Sequence, residues 1–255
     1  MHYRCLVVLA TTGLLSAADL PYAGKWKANL AKSDFGETTI TYAEAGSGQM
    51  RYTADGLSYT FRMDGKDYPS LMGHTAAWKQ INATTWESSM KLNGKLVATS
   101  ASKLSEDGSK LTVTNKGPKP GGGSFDTTFI FQRVSGGPGL PGKWKTKNVN
   151  SSTPLVFDIA PSGQDGLTIG VDDYRATCSA KFDGKDYSFT GPTIPAGMTF
   201  AIRKTGPRSF EMTQKHNGKE LYRDSFSVSP NGKILINTGS AIGVSEKYKI
   251  IYDRQ

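Results

Sequence analysis

The chain has almost no cysteine and almost no histidine. Two cysteines and three histidines in 255 residues leave little from which to build a disulfide framework, a metal centre or an imidazole-driven nucleophile. No apolar run is long enough to span a bilayer: the most apolar stretch, residues 5–15, falls short of the roughly 20 residues a spanning helix needs. No window of a dozen residues carries a helical apolar stripe, and long Leu/Ala/Glu/Lys stretches are missing. G-x-S-x-G, P-loop and dinucleotide fingerprints are absent too. Acidic residues are outnumbered, 22 against 31 Lys and Arg, for a net charge of +9. That excess is spread evenly, with no basic run or stacking motif, so no nucleic-acid partner is expected. Neither a cofactor nor a metal is expected.

What is present is glycine (29 residues), serine and threonine, and aromatics at 10%, in period-two alternation. Met50, Tyr52 and Ala54 alternate with Arg51 and Thr53; Tyr59, Phe61 and Met63 with Thr60 and Arg62; Trp86, Met90 and Leu92 with Glu87 and Lys91. This is the pattern of half-buried strands. Asp64-Gly65, Asn93-Gly94, Asp107-Gly108, Asp183-Gly184, Asn217-Gly218 and Asn231-Gly232 separate the alternating segments. Such dipeptides accept the positive φ angles of hairpin turns.

The phrases recur. G-K-W-K at 24–27 returns at 142–145, D-G-K-D-Y at 64–68 returns at 183–187, N-G-K at 93–95 returns at 217–219, and Arg133 is matched by Arg254. A tandem duplication is therefore expected. Residues 1–18 read as a signal peptide, with a basic start, a short apolar run and small residues at 16–18, which predicts a secreted or periplasmic protein with no membrane span in its mature form. Residues 19–134 form repeat 1, residues 135–141 a Gly/Pro linker, and residues 142–255 repeat 2. The fold class is all-β: two tandem antiparallel up-and-down β-barrels of about eight strands each.

G-x-W opening a first strand, followed by a meander whose last strand ends in Arg, resembles the calycin superfamily of lipocalin-like barrels. The longer string of copy one, from G-K-W-K-A-N-L-A-K-S-D-F onward, is similar to repeats in uncharacterised secreted proteins of soil bacteria. The calycin resemblance implies that the Trp closes one barrel end against the Arg. By motif that pairs Trp26 with Arg133 and Trp144 with Arg254. It says little about activity, because one fold hosts many functions.

Catalytic candidates are few. His74 and His216 are isolated at loops, Cys178 sits in phase with apolar neighbours, and the D-G-K-D carboxylates belong to turns. Asp172-Asp173 is a further acidic pair. No catalytic residues are assigned. The remaining candidate is a barrel interior. Against Tyr59 and Phe61 in copy one, copy two has Cys178 and Ala180, which predicts a filled copy one and a copy two with room for a small apolar ligand. Ala176, Cys178, Ala180, Phe182, Phe210, Met212, Ile250 and Tyr252 would form its wall. Arg223 (or His216) at the rim would orient a polar end. Ala180→Phe would then fill the space. The leading expectation is a binding module for a small apolar molecule. The alternative is a non-catalytic structural or protein-interaction module of the bacterial envelope with filled barrels, its protein partner unidentified.

Overall fold

A computed structural model describes residues 20–151, 153 and 155–255; the expected signal peptide lies outside the described residues. The described chain is antiparallel β-structure with three single-turn 3-10 helices. In chain order the strands begin with β1 (Gly24–Ala28), β2 (Thr39–Glu44), β3 (Met50–Ala54), β4 (Leu57–Phe61), β5 (Asp64–Pro69), β6 (His74–Asn82), β7 (Thr85–Leu92), β8 (Lys95–Leu104), β9 (Lys110–Pro118) and β10 (Ser124–Ser135). They continue with β11 (Gly142–Ser151), β12 (Val156–Ser162), β13 (Gly166–Val171), β14 (Ala176–Lys181), β15 (Tyr187–Ser188), β16 (Met198–Gly206), β17 (Ser209–His216), β18 (Lys219–Val228), β19 (Ile234–Ala241) and β20 (Tyr248–Arg254).

These strands form two nearly closed barrels of ten strands each, not eight. The short strands β5 and β15 come from the D-G-K-D-Y segments, which do not make hairpins. Asp64 Oδ1 accepts the Lys66 amide at 3.0 Å and Asp64 Oδ2 accepts the Tyr68 hydroxyl at 2.9 Å. Asp183, Lys185 and Tyr187 repeat the arrangement. This stapled Asp turn carries the chain from one sheet edge to the other. In the second barrel the seam is closed by paired backbone bonds between Thr177 and Thr190; in the first, β4 and β5 are its two unpaired edges. The N-G signals are read correctly at 93–94 and 217–218, where both turn residues have positive φ, the geometry of a tight hairpin.

The barrels do not coincide with the repeats. Barrel one is built from β2 to β11, residues 39–151. Barrel two is built from β1 together with β12 to β20. The first strand of each repeat thus sits in the other repeat's barrel: β11 lies between β10 and β2, and β1 lies between β20 and β12. Barrel one is an insertion in barrel two. The cause is local. Residues 136–141 are a short loop, and closing a short hairpin costs far less chain entropy than a distant pairing, so β11 pairs with the strand just before it. The stretch at 135–141 is consequently a hairpin loop inside barrel one and no tether between barrels.

The expected Trp–Arg pairs are exchanged in the same way. The Arg254 guanidinium lies 4.2 Å from the centre of the Trp26 ring, and that of Arg133 lies 4.0 Å from the Trp144 ring. Arg133 Nη1 and Nη2 donate to the carbonyls of Gly137, Gly139 and Pro141, pinning the hairpin loop, while Nε donates to Gly108. Arg254 donates to Pro21, Ala23 and Gly232. The geometry explains the glycine of G-K-W-K. Gly24 and Gly142 have φ of +136° and +150°, and a Cβ there would lie 2.6 Å and 2.9 Å from the Arg254 and Arg133 Nη1 atoms. Only glycine lets the guanidinium settle over the indole.

Candidate functional site in the barrel interiors

Barrel two is plugged at the Trp26 end. Trp26 and Tyr22 are fully buried, and the Trp26 indole N–H donates to the Tyr22 carbonyl at 2.8 Å. The Tyr22 ring packs edge-on against Phe182 and Phe210. Cys178 and Ala180, beside which open space was expected, are buried in the same packed core as this plug. Tyr22 precedes the first repeat's G-K-W-K, so counting by repeats assigns it to the wrong barrel. Phe182 belongs to the plug as well, and Ala180→Phe would overpack a filled core.

Above the plug the barrel opens into a cavity of about 290 Å³. Ala176, Phe210 and Met212 line it, with Phe157, Phe200 and Phe226 among the other walls. Ile250 and Tyr252 do not; they line a separate cleft of about 430 Å³ between the barrels, which shares Leu155 and Tyr174 with the cavity. Arg223 points outward and pairs with Glu220, since alternation along β18 turns Asp224 inward instead. His216 is the last residue of β17 and is not on the cavity lining.

Two residues with polar side-chain groups, Tyr174 and Gln214, are on the lining of this apolar space. Gln214 lines the cavity, and its Nε2 donates to Asp224 Oδ2 at 2.9 Å. Asp224 is 3% exposed. Its Oδ1 accepts the Tyr248 hydroxyl, and Asn237 also bonds to the carboxyl. Gly239 makes room for the cluster: a Cβ there would lie 2.5 Å from Asp224 Oδ1 and 2.6 Å from the Tyr248 oxygen. Burial raises the Asp224 pKa, and the bonds from Tyr248, Gln214 and Asn237 only partly oppose it. The sequence carried a sign of this cluster: Asp224 is in phase with Tyr222, Phe226 and Val228, a charged residue on an apolar face.

The raised value has a consequence for stability. The folded chain takes up the proton at higher pH than the unfolded chain does, so the contribution from Asp224 is full below the ordinary Asp value and is lost as pH rises through the folded one. Urea melts of barrel two in wild type and Asp224→Asn, from about pH 3 to 7, should therefore show the difference moving steadily in favour of the Asn variant. A difference independent of pH would show that Asp224 titrates normally.

Barrel one is not filled. Leu140 and Trp144 plug it as Tyr22 and Trp26 plug barrel two, with the Trp144 indole donating to the Leu140 carbonyl at 3.1 Å. Above them lies a cavity of about 390 Å³. The large side chains of Tyr59, Met90, Phe129 and Phe131 do line it, but so do Ser88, Ser100, Ser102 and Asn115. These small polar residues leave the space open.

The other candidates have structural partners. Asp172 pairs with Lys25 at 2.8 Å and Asp173 with Lys119 at 2.6 Å. The His74 ring meets the Leu71 carbonyl at 2.9 Å. Burial pushes the Cys178 thiol up to about 11, which disfavours the thiolate a nucleophile requires. Among the described residues no cluster of three or more His, Cys, Asp or Glu could hold a metal, and no helix is long and apolar enough to cross a membrane. Comparison with protein-family models, curated proteins and solved structures gives no match.

Proposed function

We propose that the protein is a secreted or periplasmic, non-catalytic binding module that takes a small, largely apolar molecule into barrel two. The observation that carries this reading is the apolar cavity with a single oriented amide at its wall. Gln214 commits one of its two N–H groups to Asp224, which fixes the amide and leaves Oε1 as a free acceptor for a ligand. That oxygen favours a ligand with a hydrogen-bond donor, such as an alcohol, over a carboxylate, for which Arg223 offers no counter-charge from outside the barrel. The two plugged barrels and their Trp–Arg closures support the calycin likeness.

Calorimetric titration of the mature protein with 1-octanol and with octanoate tests the reading. Octanol should bind, octanoate should bind about tenfold more weakly or not at all, and Met212→Trp should abolish binding by filling the cavity. If neither compound binds and native mass spectrometry of the exported protein finds no co-purified small molecule, the structural-module reading takes its place.

A further inference from the structure

We infer that barrel one holds a second binding site, of different chemistry, for a small neutral polyhydroxylated ring of monosaccharide size. The two interiors share a framework and differ in lining. Counted from the shared N-G-K, Ser88 stands where barrel two has Met212, Ser102 where it has Phe226, and Ser100 where it has Asp224. Two of these positions are thus apolar in barrel two and hydroxylated in barrel one, and the third exchanges a carboxyl for a hydroxyl.

The cavity of barrel one has two unlike walls. Tyr42, Tyr52, Tyr59 and Trp78 form an aromatic side, joined by ring contacts of 5.3–5.7 Å between Tyr42 and Tyr52, Tyr52 and Tyr59, and Tyr42 and Trp78. Ser88, Ser100, Ser102 and Asn115 form the polar side. Ser100 Oγ donates to Asn115 Oδ1 at 2.6 Å, which fixes the amide so that its N–H groups are the ones available to a ligand.

Ser102 is the independent observation. It is 1% exposed, lines the cavity, and its hydroxyl has no hydrogen-bond partner. A buried hydroxyl left unpaired costs about 1–3 kcal/mol, a cost that a ligand in the cavity would relieve. Among the described residues, the only charged one on the lining is Asp55, whose carboxylate accepts the Tyr222 hydroxyl at 3.0 Å. No cation is there to hold an anionic ligand. Aromatic faces for the C–H side of a ring, hydroxyl and amide groups for its O–H side, and a volume within the range of small-molecule sites, about 300–1,000 Å³, together select a neutral sugar-like molecule over an anion or a pure hydrocarbon.

The test is ligand-observed saturation-transfer NMR on the full mature chain with glucose, galactose, xylose and N-acetylglucosamine, and with p-cresol as an aromatic control. At least one sugar should show transfer. Ser102→Val should weaken its affinity by about tenfold while raising the melting temperature of barrel one, because the variant removes an unpaired hydroxyl and puts apolar atoms in its place. A merely structural Ser102 would not couple those two changes. Met212→Trp in barrel two should leave sugar binding unchanged. No transfer from any sugar, transfer from p-cresol alone, or sugar affinity unchanged in Ser102→Val would each overturn the assignment.

Discussion

A fragment of residues 37–151 should fold on its own into barrel one, whereas a fragment of residues 19–134, the complete first repeat, should not. The first contains all ten strands of its sheet and both halves of the Trp144–Arg133 closure. At about 115 residues it is long enough for an independent core. The second lacks β11. It leaves β10 and β2 as open edges, removes the fully buried Trp144 and the nearly fully buried Leu140, and takes away the loop carbonyls that Arg133 binds. It also carries β1, whose partners β12 and β20 are absent. Loss of one buried Trp alone costs about 3–5 kcal/mol, against a total stability of about 5–15 kcal/mol for a domain. Circular dichroism melts and amide proton dispersion distinguish the two: a cooperative transition and dispersed amides for 37–151, neither for 19–134. The reverse result would restore the repeat as the folding unit.

The sequence carried the fold class because alternation and N-G turns are local signals. The residues that pair across a tight hairpin, such as Leu92 with Lys95, lie close together in the chain. The repeat was legible for the same reason. What repetition could not convey is the origin of register. A duplicated sequence has two equivalent frames, one starting at G-K-W-K and one ending after it, and both predict the same motifs. Only the short loop between Arg133 and Gly142 chooses between them, by making β10 and β11 a hairpin. Reading residues 135–141 as a linker gave weight to its glycines and prolines and none to its brevity.

The candidate site was legible in part. Ala176, Phe210 and Met212 are on the cavity wall because a strand's inward row is set by alternation. Cys178 and Ala180 share that row, but they are buried in a packed core that includes a plug from outside the repeat. The polar members Gln214, Asp224 and Asn237 were missed because a polar residue in an alternating strand is assigned outward by default. In both barrels the interior departs from the rule that inward means apolar, and those departures are where each interior differs from a packed core.

Trp26→Ala should destabilise barrel two by about 3–5 kcal/mol and leave barrel one nearly unchanged, although Trp26 belongs to the first repeat. Its ring is fully buried in the barrel-two core with Tyr22, Leu167 and Phe210, and it lies under Arg254. Truncation leaves a cavity beneath a guanidinium and frees Tyr22 from the bond that anchors the plug. In a urea titration the barrel-two transition should fall to lower denaturant and separate from that of barrel one. A double-mutant cycle identifies the partner. Trp26→Ala with Arg254→Ala should show a coupling of about 0.5–2 kcal/mol, the range of a cation–π contact. Trp26→Ala with Arg133→Ala should be additive, because Arg133 closes the other barrel over Trp144. Coupling between Trp26 and Arg133, with none to Arg254, would mean that each repeat keeps its own first strand, and the insertion topology would have to be abandoned.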